Sequence, residues 1–441
     1  MTIFLDTTRL LTRLLRSAPT GIDRVEHAFA NHLSERLGPT SVSGVVTTPF
    51  LNGAIHRDAL RRHVDAVTGA WGNAGRSTTH DGFADHVRTA IAAPTDMTRR
   101  TPLRLRREGR TRSAARVFAL PALQVARASL DLTRRLRETR SAPRAYLHTS
   151  HTQLDSPRRF AWLRENDVPS VFFVHDTIPL DYPEFCSPGS ASRHLTRLET
   201  VAALSGAIIV NSHATRRSIV RHLDPIRWPA PRIEVVPLAV GSAFGRTADV
   251  APTGASPYFL AVGTIEPRKN LLFLLAIWRE LALRNGPRTP RLVIAGRRGW
   301  ENEMILDVLE RSSILAPHVI EVAGLPDSDL ARLMTGARAL LAPSSVEGFG
   351  LPVAEALACG TPVLASDIAA HREVAAGHAE FVHPLDGRNW LEAIEALCED
   401  RKPLRAQLAA RAESYRPMRW DAHVDAAMAV VMDIARPPRL N

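Results

Sequence analysis

Residues 343–363 of the 441-residue chain are PSSVEGFGLPVAEALACGTPV. The two glycines of EGFG favour a loop, and Pro352 suits the first turn of a helix, where its missing N–H is not needed. Gly360 suits the end of that helix. The stretch predicts a strand, a loop, a helix and a second strand in this order. Glu347 would then lie in the loop and Glu355 on the helix.

The same alternation of short apolar runs and amphipathic stretches extends along most of the chain. Runs that are apolar throughout are typical of parallel strands that helices cover on both faces. The sequence therefore predicts an α/β protein with two doubly wound sheets. The predicted strands are residues 3–6, 170–175, 207–211, 233–238, 258–263, 291–296, 319–324, 337–342, 362–366 and 380–383.

A domain boundary is predicted at residues 241–257, where Gly, Pro, Ser and Thr accumulate without apolar periodicity. The predicted units are an N-terminal domain over 1–245, a C-terminal domain over 246–416, and a final amphipathic helix within 417–441. Two such domains would enclose a cleft, and open parallel sheets bind ligands beyond the carboxyl ends of their strands. We therefore expect the functional site between the domains.

The loop with the two glycines has the chemistry of a phosphate and sugar site. Gly348 and Gly350 let a ligand approach the backbone, and the helix that follows offers free N–H groups with a partial positive charge. Carboxylates at Glu347 and Glu355 could accept hydrogen bonds from sugar hydroxyls. Taken alone, the segment would favour a structural turn that carries two solvated glutamates.

The wider phrase resembles the retaining glycosyltransferases of family four, in particular the bacterial mannosyltransferase-like group. The E-x7-E spacing from Glu347 to Glu355 lies inside the family's EGFGLP…EA…CG-PV phrase. The resemblance covers residues 165–375 well and residues 1–30 loosely. It implies the GT-B architecture: two Rossmann-like domains face a central cleft, and a C-terminal helix crosses back to the first domain.

A second phrase, YFLAVGTIEPRKN over residues 258–270, also resembles this family. Its Arg268 and Lys269 correspond to the pair that binds the donor diphosphate. Only two of the 56 basic residues are lysines, Lys269 and Lys402, so a lysine at this position is a candidate for a specific role. A compact ammonium and a forked guanidinium would neutralise the charge of a diphosphate leaving group.

The resemblance assigns further residues around the donor. Glu355 would hold the ribose hydroxyls, and Glu347 with the backbone of the following loop would hold the sugar hydroxyls. His175 ends a strand that lines the family's sugar pocket, and Gly21, with Arg24 nearby, lies in the loop that approaches the diphosphate. The predicted catalytic residues are Glu347, His175, Arg268 and Lys269; the predicted donor-binding residues are Glu355, Gly348, Phe349, Gly350, Leu351, Gly263, Thr264 and Gly21.

The implied reaction is transfer of a sugar from a nucleotide-diphosphate donor with retention at the anomeric carbon. It needs no separate protein base, no metal and no other cofactor. GDP-mannose is the first guess for the donor, and the expected acceptor is a saccharide or lipid-linked saccharide of a surface polysaccharide or glycolipid. A nucleotide-sugar epimerase of the same fold, a non-catalytic nucleotide-sugar binder and an Arg-rich nucleic-acid-binding protein are the alternatives.

Charge is unevenly distributed. Residues 99–144 contain fourteen arginines and three acidic residues, so they account for the whole net charge of +11. With one aromatic residue for stacking, the segment does not favour single-stranded nucleic acid, and no nucleic-acid partner is expected. Its interleaved apolar residues could instead hold the protein against anionic lipid; a solvated insertion is the alternative. These apolar residues are Leu103, Leu105, Val117, Phe118, Leu120, Leu123 and Val125.

The remaining sequence features concern location. Three scattered cysteines indicate neither a disulfide framework nor a Cys-rich metal site. The first residues already have the pattern of a strand, and we expect no secretion signal. The sequence predicts a cytoplasmic protein that can lie at the inner face of the membrane.

Overall fold

The computed structural model describes residues 1–15, 19–38, 40–48, 52–72, 83–106, 131–223, 231–246, 257–399 and 403–435. These residues contain fourteen strands: β1 (Thr2–Asp6), β2 (Val42–Thr47), β3 (Asn52–His56), β4 (Leu103–Arg106), β5 (Arg144–His148), β6 (Ser170–Val174), β7 (Ala207–Val210), β8 (Arg232–Val235), β9 (Tyr258–Val262), β10 (Arg291–Ala295), β11 (Val319–Ala323), β12 (Leu340–Ala342), β13 (Val363–Ser366) and β14 (Glu380–Val382).

The helices of the described residues are α1 (Gly21–Arg36), α2 (Arg57–Gly72), α3 (Phe83–Ala92), α4 (131–138), α5 (Ala161–Glu165), α6 (Ile178–Asp181), α7 (Ser190–Leu204), α8 (His213–Leu223), α9 (Leu271–Asn285), α10 (Glu303–Arg311), α11 (Asp327–Gly336), α12 (Leu351–Ala358), α13 (Ala369–Ala375), α14 (Gly387–Cys398), α15 (Pro403–Ser414) and α16 (Trp420–Ile434). Short 3₁₀ turns lie at Leu10–Leu15, Pro157–Phe160, Pro183–Phe185, Pro267–Lys269 and Gly286–Arg288.

The strands form two seven-stranded sheets, as the sequence predicted. The first has the order β3-β2-β1-β5-β6-β7-β8 and is parallel except for β3, which pairs antiparallel with β2. The second has the order β14-β13-β12-β9-β10-β11-β4 and is parallel throughout. Strand order reverses between β1 and β5 and between β9 and β12. Ligands bind at such switch points, outside the carboxyl ends of the strands.

Each of the ten apolar runs predicted to be strands overlaps an observed strand. Their residues are buried from end to end in β1, β6, β7 and β10, as parallel strands covered on both faces require. The helix predicted after EGFG is α12, with Pro352 in its first turn and Gly360, at φ +78°, just beyond its end. The sequence analysis missed β2, β3, β4 and β5.

The C-terminal helix α16 packs on the first domain, against α1 and strands β5, β6 and β7. Its buried face includes Val424, Ala427 and Val431, at the helical spacing that predicted it. His423 Nδ1 lies 2.8 Å from the carbonyl oxygen of Pro237, and His32 Nε2 lies 3.0 Å from Asp425 Oδ1. The predicted return of the helix to the first domain is confirmed.

The Arg-rich segment differs from its prediction as an insertion of the first domain. Its strand β4 pairs in parallel with β11 and forms the edge of the second sheet, whereas Leu132 and Leu136 of α4 lie in an apolar cluster of the first domain. Leu103 and Leu105 pack on a core cluster because alternate residues of a strand share one face, so these two leucines are not available to lipid. Residues 107–130, including Val117, Phe118, Leu120, Leu123 and Val125, lie outside the described residues.

Within the described part of the chain, no helix is both long and apolar enough to cross a bilayer.

Candidate active site

The site lies at the carboxyl ends of β9 and β12, two neighbouring strands in the middle of the second sheet. The turn after β9 contains Gly263 and Thr264, and the loop after β12 contains Glu347. Gly263 has φ +142°, and a Cβ atom there would lie 3.0 Å from Lys269 Cε. Glycine at this position therefore lets the lysine side chain lie directly across the turn.

Glu347 is the centre of the site's hydrogen bonds. Arg268 Nη1 donates to its Oε2 at 2.6 Å, Lys269 Nζ donates to its Oε1, and Ser344 Oγ donates to Oε1 at 2.8 Å. Burial by itself would raise the pKa of Glu347, but Arg268 and Lys269 outweigh it and hold the pKa far below its usual range. The glutamate is therefore ionised, and both of its oxygens are engaged.

A second carboxylate, Glu266, lies beside Arg268 and was not singled out from the sequence. Arg268 Nη2 lies 2.6 Å from Glu266 Oε1, and the glutamate is 1% exposed. Burial raises its pKa, and the two neighbouring cations oppose the rise. Burial alone would lower the pKa of Arg268, but Glu347 and Glu266 raise it instead, so the guanidinium stays charged.

A cavity opens beside these groups. Its lining includes Gly263, Thr264, Lys269, Glu347, Gly350 and His371. The sequence analysis missed His371, whose Nδ1 lies 3.0 Å from the carbonyl oxygen of Ser366. Burial lowers the pKa of His371, so a neutral imidazole faces Gly350, where an added Cβ would lie 3.1 Å from its Cδ2 atom.

The loop that carries Glu347 also contacts the first domain. A Cβ at Gly348 would lie 2.6 Å from the carbonyl oxygen of His175 and 2.9 Å from Asp176 Cβ. Ser212 Oγ donates to the carbonyl oxygen of Gly348 at 2.7 Å. Phe349, predicted to bind the donor, has its side chain buried in the apolar core instead. The glycine is therefore needed for the close contact between the domains.

Glu355 lies under a second contact between the domains. Arg24 Nη1 donates to Glu355 Oε1, and Arg24 Nη2 donates to Asp327 Oδ1 at 2.5 Å. The guanidinium also lies 5.6 Å from the centroid of the Phe244 ring. Glu355 is 2% exposed, and burial raises its pKa to about 7, with Arg24 opposing and Asp327 adding to the rise. The carboxylate predicted to hold a ribose is thus paired with an arginine of the first domain.

Gly21 begins helix α1 on the other side of the cleft. Thr20 caps this helix, and Asp23 completes the capping box. A Cβ at Gly21 would lie 3.3 Å from Leu351 Cδ1, so the two predicted donor-binding residues face each other across the cleft. Arg9 fixes the turn through a 2.7 Å contact with Asp23.

His175 directly follows strand β6, and its ring is stacked on Phe173 with the centroids 4.6 Å apart. Its Nε2 lies 2.9 Å from the carbonyl oxygen of Thr149. A carbonyl only accepts hydrogen bonds, so Nε2 carries the proton and Nδ1 is left as an acceptor. Burial lowers the pKa of His175 to about 4, which keeps the ring neutral near pH 7.

The structure thus gathers the predicted residues around one interdomain cleft. Lys269, Glu347 and the two flanking turns line the cavity, and Arg268 is hydrogen-bonded to Glu347 beside it. Glu355, Leu351 and Gly21 lie where α1 meets α12. Their roles toward a ligand stay predictions. Within the described residues, no three His, Cys, Asp or Glu side chains are grouped as a metal site would require.

Comparison with known proteins gives the class of the second domain. Residues 248–415 match the family model described as Glycosyl transferases group 1. A solved structure of HepE from Anabaena in complex with UDP is similar in fold, with a TM-score of 0.60 at 13% identity, and covers 98% of this chain and 100% of that one. The two sheets and the returning helix have the GT-B architecture.

Two curated relatives narrow the comparison. The chain is 31% identical over 236 residues to the O-antigen chain mannosyltransferase B of Escherichia coli, a match that covers 52% of this chain and 59% of that protein. It is also 31% identical over 245 residues to the serotype-specific mannosyltransferase WbdA of Escherichia coli, covering 52% of this chain and 29% of that protein. The chain therefore spans less than two thirds of the length of each of these two relatives.

Proposed function

We propose that this chain is a retaining glycosyltransferase. It takes a hexosyl group, with mannose as the first candidate, from a nucleotide-diphosphate sugar and transfers it to a saccharide or lipid-linked saccharide in surface polysaccharide or glycolipid synthesis. The observation that carries the proposal is the pairing of Arg268 and Lys269 on Glu347 at the edge of the cavity. Two cations and a carboxylate at one point suit a donor with an anionic diphosphate beside a neutral, hydroxyl-bearing sugar.

In the proposed reaction the bond from the anomeric carbon to the diphosphate oxygen breaks. The acceptor oxygen bonds to the same face of that carbon, and the acceptor proton passes to the departing diphosphate. Arg268 and Lys269 would neutralise the charge that develops on the leaving group, and fixed cations in a partly dry site do this without reorganisation. No protein base is required, in keeping with the low pKa of His175, which makes its imidazole a weak base.

The remaining predicted residues can each be given a role in binding the donor. The Nδ1 atom of His175 would accept a hydrogen bond from a sugar hydroxyl, and the backbone of residues 348–350 would contact the sugar. Gly263, Thr264 and Gly21 would allow the diphosphate to approach the main chain. Glu355 would hold the ribose once Arg24 gives up part of its contact with that carboxylate.

Mannose is proposed because both curated relatives reported above are mannosyltransferases. The epimerase and nucleic-acid alternatives are not favoured by the comparisons. The expectation that no metal is needed stays a prediction, since two protein cations can supply the neutralisation that a metal gives in other enzymes.

A thermal-shift screen tests the proposal. The purified chain is heated with GDP, UDP and ADP and with their sugars, and at least one nucleotide diphosphate should raise the melting temperature. The matching sugar donor is then incubated with and without a saccharide acceptor. A transferase releases nucleotide diphosphate and forms product only with acceptor, whereas an epimerase releases donor-derived sugar without one. Absence of any nucleotide effect would contradict the assignment.

A further inference from the structure

Two aromatic side chains are exposed to solvent, although aromatic residues are usually buried. Tyr182 is 38% exposed and Trp300 is 43% exposed, and no other Phe, Trp or Tyr among the described residues is as exposed. They meet at Phe185: the Tyr182 and Phe185 rings are stacked with centroids 6.0 Å apart and planes at 13°, and Trp300 Nε1 lies 3.4 Å from the carbonyl oxygen of Phe185. We call these three residues the aromatic patch.

The aromatic patch spans the cleft. Tyr182 and Phe185 follow α6 in the first domain, and Trp300 follows β10 in the second. Exposed apolar surface of this kind marks a binding surface when its members are grouped. The three residues of the aromatic patch lie together only because the two domains contact each other here.

Both halves of the aromatic patch are held in place. On the first domain, Asp181 accepts hydrogen bonds from Thr177 Oγ1, at 2.7 Å, and from Ser218 Oγ, which fixes the residue before Tyr182. On the second domain, the Gly299 N–H donates to the carbonyl oxygen of Ile265 at 3.0 Å. The rings are therefore presented by a rigid backbone, as a recognition surface requires.

The aromatic patch borders the candidate active site. A Cβ at Gly299 would lie 2.6 Å from Thr264 Cγ2, so the residue before Trp300 packs on the predicted donor turn. Burial raises the pKa of Cys186, the residue after Phe185, with Asp176 adding to the rise and Arg268 opposing it. Cys186, next to the aromatic patch, thus lies within electrostatic range of Arg268, the predicted diphosphate-binding arginine.

We propose that the aromatic patch is the platform on which a pyranose ring of the saccharide acceptor stacks. The proposal rests on the proposed function and adds to it the class of acceptor and the residues that hold it. The C–H hydrogens on one face of a pyranose carry partial positive charge and match the negative face of an aromatic ring. Covering the exposed rings also removes apolar surface from water.

A lipid chain or a nucleic-acid base would be a different occupant. A base would need cations beside the rings to bind its phosphates, and the nearby Arg268 serves the donor diphosphate in the proposed reaction. A sugar needs a flat apolar face to stack on, which the exposed Trp300 and Tyr182 rings provide. The acceptor would also draw the two domains together, since its platform is complete only when they meet.

Saturation-transfer NMR tests the proposal. Manno-, gluco- and galacto-configured trisaccharides are each mixed with the protein and the nucleotide diphosphate found in the thermal-shift screen. Wild-type protein should transfer saturation to at least one trisaccharide. Trp300→Ala and Tyr182→Ala should weaken that binding about ten-fold, a loss typical of removing a central aromatic contact, while Trp300→Phe should keep most of it.

Met304→Ala is the matched control, because Met304 is 69% exposed near Trp300 but outside the aromatic patch. In the transfer assay, the Trp300→Ala protein should show a KM for acceptor about ten-fold higher and a KM for donor within about two-fold of wild type. Saccharide binding that survives Trp300→Ala, or wild-type protein that binds nucleotide but none of the trisaccharides, overturns the proposal. Failure of nucleotide binding itself would instead refute the proposed function.

Discussion

Replacing Lys269 with methionine gives the most direct test of the donor site. The change keeps the length and apolar stem of the side chain and removes the ammonium that hydrogen-bonds Glu347. Gly263 packs directly against the lysine stem, since a Cβ at this glycine would lie 3.0 Å from Lys269 Cε. The unbranched side chain of methionine fits the same space. The variant therefore changes one charge with little change in shape.

The magnitudes follow from what remains at Glu347. Arg268 and Ser344 still donate to the carboxylate, so the glutamate is not left unpaired, and the free energy of unfolding should fall by only about 2 kcal/mol, the value of one hydrogen bond to a charged group. The leaving diphosphate loses a positioned cation, and loss of one such group typically lowers kcat by about 10²–10³-fold. Activity should therefore fall far more than stability accounts for.

The assay is release of nucleotide diphosphate from the sugar donor in the presence of acceptor, with urea unfolding measured in parallel. Lys402→Met, at the only other lysine of the sequence, is the control and should keep wild-type activity. The double variant Lys269→Met with Glu347→Gln separates two roles. It should recover part of the lost stability, because the buried carboxylate that lost one of its two cations is now a neutral amide, and should recover no activity. Activity of Lys269→Met within ten-fold of wild type would refute the reasoning.

Four further outcomes are expected. Because burial raises the pKa of Glu355 to about 7, its carboxylate is neutral at lower pH, and nucleotide-diphosphate affinity measured by calorimetry should fall by up to about ten-fold per pH unit below 7; a flat profile would contradict a ribose contact. An excess of EDTA should leave the rate of transfer unchanged, and a loss that Mg²⁺ restores would show a metal requirement. Gly348→Ala should lower kcat about ten-fold or more, because its Cβ would lie 2.6 Å from the carbonyl oxygen of His175 and force the closed domains apart; an unchanged kcat would exclude that contact from the active state. Changing the five arginines of residues 107–130 to glutamine should weaken sedimentation with phosphatidylglycerol vesicles at low salt, whereas equal sedimentation would favour a solvated segment.

Patterns that depend on neighbouring residues predicted much of this fold. A strand buried on both faces and the helix that begins at Leu351 each depend on a short stretch of sequence, so both could be predicted locally. Strand β4 could not, because its Leu-Arg-Leu-Arg alternation lies in a segment dominated by charge, and its partner β11 is more than two hundred residues away. The contact of Arg24 with Glu355 could not be predicted for the same reason, because no local pattern indicates which side chains meet across the cleft.

The closed network at Glu347 links the two halves of a donor in the proposed reaction. One oxygen of the carboxylate accepts from Lys269 and Ser344, and the other accepts from Arg268, so a sugar hydroxyl must compete with cations for the same atoms. A diphosphate that draws the two cations toward itself would free the carboxylate for the sugar. Sugar recognition would then depend on phosphate binding, and the double variant tests this link. If Glu347 served only to hold the two cations, replacing it together with Lys269 would cost no more activity than replacing the lysine alone.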